Sequence, residues 1–214
     1  MCTRKRAHGA SGAETMRIGL IGPVASDLAN LRSAITTLFV EAGVDRAVYL
    51  GSDGALDVLA KEWTSSLGGP TGLAFDDRAL DLAVSGSATE IRELLAADAN
   101  ARRLERLASL PPPPSQALEM LDDRFLLFTH DTSTLDEDDI ANAQVIIYGV
   151  AKQMLFRRFG PRAFFTPGPP SEGHLGIVET DFDGRLTITA MKSDGSIALR
   201  ESLASRSNRM SVAR

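Results

Sequence analysis

MRIGLIGPVAS (Met16–Ser26) runs a short, mostly apolar stretch, RIGLI, into a glycine–proline turn. A run of that length closed by a turn suits a strand buried on both faces of a parallel sheet. Four later segments repeat the pattern at domain-like intervals: YLGSDG (Tyr49–Gly54), AVSGSAT (Ala83–Thr89), FTHD (Phe128–Asp131) and YGVAK (Tyr148–Lys152). The chain is thereby organised as strands that end in small-residue turns.

The intervening sequence supplies helices. Asp27 is placed to cap a helix over 28–42, with Leu28, Leu31, Ile35, Leu38 and Phe39 at helical spacing and Gly43 beyond its end. Arg46–Leu50 reads as a second strand, Ala55–Trp63 as a helix and Leu80–Val84 as a third strand. Glu90–Leu110 gives the longest helical pattern, stopped by Pro111–Pro114. That proline run favours an extended polyproline-II segment, read as a stiff connector rather than a docking motif for an aromatic groove. Strands are expected at Phe125–Phe128, Val145–Tyr148 and Ala163–Thr166, with an acidic-capped helix near Asp136–Ala143. After Gly173 three runs, Leu175–Thr180, Leu186–Lys192 and Ile197–Leu203, are separated by Asp-Gly pairs that favour hairpin turns.

Composition narrows the class. The 214 residues carry 23 basic and 28 acidic side chains, a net charge of −5, which argues against general nucleic-acid binding. A hydrophobic fraction of 43% is that of an ordinary globular domain. The single cysteine, Cys2, excludes an internal disulfide framework and suits a reducing, cytoplasmic setting. No apolar run approaches the roughly 20 residues that span a membrane, and residues 1–15 lack the apolar core of a secretory signal. We expect a polar arm at 1–15, one α/β domain at 16–204 and a Ser/Arg tail at 205–214, both termini disordered.

Taken together, the five blocks resemble those of the small calcineurin-like metallophosphoesterases, over nearly the whole span from Met16 to Leu203. The resemblance implies a four-layer α-β-β-α sandwich of two packed mixed sheets flanked by helices. In that family the blocks present aspartates, histidines and an asparagine to two metal ions. Here the first block, Asp-x-His-Gly, falls on Pro23 and Ala25; the second, Leu-Gly-Asp, on Leu50, Gly51 and Ser52, with Asp53 displaced by one. The third, Gly-Asn-His, falls on Gly86, Ser87 and Ala88, the fourth on Thr129, His130 and Asp131, and the fifth, Gly-His-Thr-His, on Gly149, Val150, Ala151 and Lys152. The family's Asn-Pro-Gly-Ser turn appears as Thr166, Pro167, Gly168 and Pro169.

Of seven implied ligands only His130 remains. Two divalent cations about 3.5–4 Å apart repel, and anionic oxygens must offset that repulsion. Pro23, Ala25 and Val150 offer no lone pair, while Lys152 brings a positive charge. The chain has three histidines, His8, His130 and His174, too few to rebuild the set. The resemblance therefore implies a pseudoenzyme with no catalytic residues, metal or other cofactor. It is expected to act through a protein partner or self-association as an adaptor or scaffold, the role of the retromer subunit of this fold.

The alternative is an active phosphodiesterase with rearranged ligands on Asp53, His130 and Asp131, against which stand structural tasks for Asp27 (helix cap), Asp53 (Asx turn) and Asp131 (strand end). Two further readings are a Ser52–His130 nucleophile pair and a small-anion site near Lys152. For partner binding the candidate segment is FRRFGPRAFF, in which Phe156, Arg157, Arg158, Phe159 and Arg162 are of residue types enriched at interface hot spots.

Overall fold

The computed structural model describes residues 16–68, 74–181 and 184–203. The expected arm at 1–15 and the expected tail at 205–214 lie outside them, as does Asp183 of the first Asp-Gly pair.

Eleven strands form two mixed sheets among these residues. The first has the order β11-β10-β9-β1-β2-β3: β1 (Arg17–Ile21), β2 (Arg46–Tyr49) and β3 (Leu107–Ser109) run parallel, and β9 (His174–Thr180), β10 (Leu186–Lys192) and β11 (Ile197–Leu203) add an antiparallel meander beside β1. The second has the order β4-β5-β6-β8-β7, with β5 (Arg124–Thr129), β6 (Val145–Tyr148) and β8 (Arg162–Thr166) parallel. The strands β4 (Ala117–Leu121) and β7 (Leu155–Phe159) pair antiparallel at its two edges.

The alternation of each strand decides the layers. Ile18, Leu20, Val48, Leu126, Phe128, Val145, Ile147, Phe165, Val178 and Ile188 point inward and form a continuous core between the sheets. The outward residues of the first sheet, among them Ile21, Ala47 and Tyr49, meet α1 (Leu28–Thr36) and α2 (Ala55–Gly68) through Leu31, Ile35, Leu59 and Trp63. Beneath the second sheet the only described helical cover is α5 (Glu137–Asn142), through Ile140 packed with Leu127 and Ile146. This is the expected α-β-β-α sandwich.

Local signals hold where they are strongest. The Asp27 carboxylate accepts from the Ala29 and Asn30 amides at 3.0 Å, and α1 runs on through a π-turn at 37–41 before Gly43 adopts φ +62°. Asp136 and Asp139 form a reciprocal capping box at α5.

Three expectations fail. Leu80–Val84 is not a strand but lies in α3 (Phe75–Ser85), as three helix formers in five residues behind acidic Asp76 and Asp77 allow. The long helix, α4 (Ala88–Leu104), stops before Leu107–Ser109, which becomes β3 by parallel pairing with Ala47–Tyr49. Strands β4 and β7 were not expected; each is an edge strand defined by its neighbour's backbone.

Candidate functional site

Six parallel strands, β1, β2 and β3 of one sheet and β5, β6 and β8 of the other, end at the same rim, where open α/β sheets place their ligands. The turns of the two sheets touch there. A side chain on Gly149, after β6, would meet the Leu50 carbonyl oxygen at 2.3 Å, and one on Gly22, after β1, would meet that of Gly168 at 1.9 Å. Glycine at these two positions allows the sheets to close.

His130, which follows β5, sits at the centre and is buried, 5% exposed. Its Nδ1 lies 2.9 Å from the Leu50 carbonyl oxygen and its Nε2 3.0 Å from that of Pro111. A carbonyl oxygen only accepts, so both contacts are hydrogen bonds only when each ring nitrogen carries a proton. In either tautomer each nitrogen lies within hydrogen-bond distance of a backbone carbonyl. The His130 carbonyl meanwhile accepts from Val150 N at 2.8 Å. The imidazole thus clamps the ends of β2, β3 and β5 together.

Asp53 is equally engaged. Its Oδ1 accepts from the Tyr49 hydroxyl at 2.6 Å and from Ala55 N, the first amide of α2, at 3.2 Å; its Oδ2 accepts from Ser26 N at 3.3 Å. Burial alone would raise the Asp53 carboxyl, but the Tyr49, Ala55 and Ser26 bonds outweigh it and hold it below the ordinary carboxylate range. Burial, then the bond to Asp53, pushes the Tyr49 hydroxyl well above its usual value. That same oxygen accepts from Val24 N at 3.1 Å, so Tyr49 and Asp53 together tie the β1 turn to the β2 turn. Asp131 Oδ1 accepts from Ser133 N at 2.9 Å, capping a short 3-10 turn.

The predicted site residues divide accordingly. Ser52, His130 and Val150 line one cleft of about 250 Å³, roofed by Pro113 and Pro114. Pro23 and Ala25 lie in the β1 turn, where Ala25 at φ +49° and Ser26 at φ +69° are left-handed; Lys152 is exposed. Ser87 does not belong to the site. It follows helix α3, not a strand, and its hydroxyl caps α4 through the Glu90 amide. The third turn at the rim is instead Leu110–Pro111 after β3, a position masked in the sequence by the shortness of that strand.

The FRRF segment is divided by the pleat. Phe156 and Arg158 face the inter-sheet side: Phe156 packs on the central core, and Arg158 reaches Glu201 of β11 at 3.0 Å. Arg157, Phe159 and Arg162 share the opposite face, where the Phe159 ring, 56% exposed, meets Phe164 edge-on at 5.4 Å. The five residues do not form one continuous surface, because a strand alternates its side chains between two faces.

The described architecture has clear counterparts among solved structures. A conserved predicted phosphoesterase from Streptococcus pneumoniae superposes with a TM-score of 0.52 at 13% identity, over 88% of this chain and 97% of that one. YfcE, a phosphoesterase from E. coli, gives 0.50 at 17% identity over 88% and 100%. Vacuolar Protein Sorting 29 from Cryptosporidium parvum gives 0.50 at 10% over 89% and 99%. The chain has the calcineurin-like phosphoesterase fold. By sequence, no protein-family model and no curated protein matches it.

Within that fold, the donor set does not fit a two-metal centre. No group of three or more His, Cys, Asp or Glu side chains among the described residues is arranged to hold a metal ion. At the rim, the His130 nitrogens and both Asp53 oxygens already have protein partners, and Ser52, Val150, Pro23 and Ala25 cannot replace an anionic ligand set. The rearranged set of Asp53, His130 and Asp131 is dispersed over three separate structural tasks. Sequence reasoning missed Tyr49 and the Leu50 and Pro111 carbonyls. The legible signal was Tyr49 four residues before Asp53 at the end of an apolar strand; a carbonyl's role leaves no trace in residue type.

Proposed function

We propose that this phosphoesterase-fold protein carries out no phosphoester hydrolysis and works in the cytoplasm by binding another protein, as an adaptor or scaffold. The observation that carries this reading is the His130 clamp. The one side chain left at a family ligand position has a backbone carbonyl at 2.9 Å and 3.0 Å from its two nitrogens. A cation approaching either nitrogen has to displace the carbonyl oxygen in front of it, and where that contact is the hydrogen bond its loss costs about 1–3 kcal/mol. A fold that keeps its turns and core without the ligands retains surfaces, not chemistry.

For the contact surface the favoured residues are Arg157, Phe159 and Arg162, the FRRFGPRAFF candidates on the outer face of the second sheet; Phe156 and Arg158 contribute by holding β7 in place. Exposed aromatic and arginine side chains on a rigid strand are the residue types from which hot spots are built.

The test is direct. Purified protein is expected to retain no stoichiometric metal after exposure to manganese and dialysis, and to leave bis-p-nitrophenyl phosphate intact. Bound manganese with turnover that disappears in His130→Ala overturns the reading. Material co-purified from the native cell identifies the partner by mass spectrometry, and Arg157→Glu with Phe159→Ser is expected to release it.

A further inference from the structure

At the opposite rim, below the N-terminal ends of β5, β6 and β8, lies a cavity of about 250 Å³ whose lining does not include His130. We propose that this cavity binds a small oxyanion such as phosphate, through Arg124, Arg158 and Arg162.

Three guanidinium groups and one carboxylate, Asp123, are the charged side chains lining it. With Glu201, which pairs with Arg158, the local sum is 3 − 2, or +1, an excess of positive charge on a chain whose net charge is −5. The arginines come from three strands of the second sheet, so their positions are set by the fold. Arg124, at the start of β5, has a side chain only 8% exposed, directed along the inner face towards the Leu203 carbonyl, to which its Nη2 donates at 3.4 Å. Arg158, at the end of β7, donates from Nη2 to Glu201 at 3.0 Å and to the Ser202 carbonyl at 2.8 Å. Arg162, one turn later on β8, donates from Nη2 to the Ala141 carbonyl at 3.0 Å.

These bonds fix the long side chains, which removes much of the entropy cost of gathering them around a ligand. The bonds of Arg158 and Arg162 all leave from a single nitrogen, Nη2; a guanidinium has five N–H donors in a planar fork that matches an oxyanion's oxygens. Gly160 and Pro161 form the β7–β8 turn at the lip; Gly160 adopts φ +59° with nothing within 4 Å of a side chain placed there, so the entrance stays open. The volume admits a phosphate or a small phosphate ester, not a polymer.

The proposal stands apart from the catalytic question, since it concerns the other end of the sheets. Thermal unfolding and calorimetric titration with inorganic phosphate, against sodium chloride and sodium acetate at matched ionic strength, test it. Phosphate is expected to raise Tm saturably and to titrate at one site per chain. Arg162→Gln and Arg158→Gln are each expected to weaken it roughly tenfold or more. Lys152→Ala, at the opposite rim, is expected to leave it unchanged. Amide resonances of Gly160, Arg162 and Gln144 should shift on titration, a readout that a misfolded variant cannot counterfeit. A phosphate effect no larger than that of acetate, or one that survives both arginine substitutions in folded protein, overturns the proposal, as does one abolished by Lys152→Ala.

Discussion

At the residue scale, the rim at the C-terminal ends of the parallel strands is a junction. Asp53 shows the change most clearly: its carboxylate receives three bonds that link Tyr49, the β1 turn and the start of α2. Because its folded pKa lies below its ordinary value, the stability it contributes is fully present above the unfolded carboxylate pKa. That contribution is lost as pH falls through the lower, folded value. Asp53→Asn is therefore expected to be less stable than the parent at pH 7, by about 1 kcal/mol since the group is exposed. The two proteins should converge in denaturant midpoint as pH is lowered below about 4. A difference that stays constant from pH 7 to pH 3 would refute this account.

At the scale of elements, what could be read from sequence depended on whether a segment carried its own signal. RIGLI at β1, VIIY at β6 and the three meander strands are apolar enough, and flanked by strong enough turn residues, to declare themselves. β3 is three residues, Leu-Ala-Ser, with no intrinsic strand preference; it is a strand because β2 lies beside it. Leu80–Val84 failed in the other direction, since five residues cannot display a period of 3.6. The helix it belongs to has no buried residue; Leu80 is 68% and Val84 89% exposed. Leu80→Ser and Val84→Ser should each change the unfolding free energy by less than about 0.5 kcal/mol, measured by urea denaturation. A larger loss would mean that this helix is covered in solution.

At the scale of the whole molecule, the two sheets are joined at both rims, by backbone contact at one and by arginines at the other. Gly149→Ala would drive a methyl group into the Leu50 carbonyl, 2.3 Å from the new carbon. Backbone on both sides leaves no flexible side chain to yield. This substitution is expected to cost about 3 kcal/mol or more and to lower Tm by several degrees; an unchanged Tm would mean that the sheets close differently. Of the rim at the C-terminal strand ends, the sequence displayed His130 and the non-ligating residues around it. It did not display the clamp, because Leu50 and Pro111 act through their carbonyls, nor the true third turn, because β3 has no signature.

Local chemistry determined much of this protein on its own: the strand-and-turn order and the Asp27 and Asp136 caps follow from residue type and short-range spacing, and the resemblance those blocks carry implied the α-β-β-α class. Tertiary structure alone decided which atoms meet. Parallel pairing made a strand of Leu107–Ser109, the pleat separated Phe156 from Phe159, and sheet closure placed two carbonyls on His130. It also brought Arg124 of β5 to the same cavity as Arg158 and Arg162 of the β7–β8 hairpin. The reason is physical: a side chain's identity is local, but hydrogen-bond partners and charge clusters are set by contacts that only the folded chain brings together.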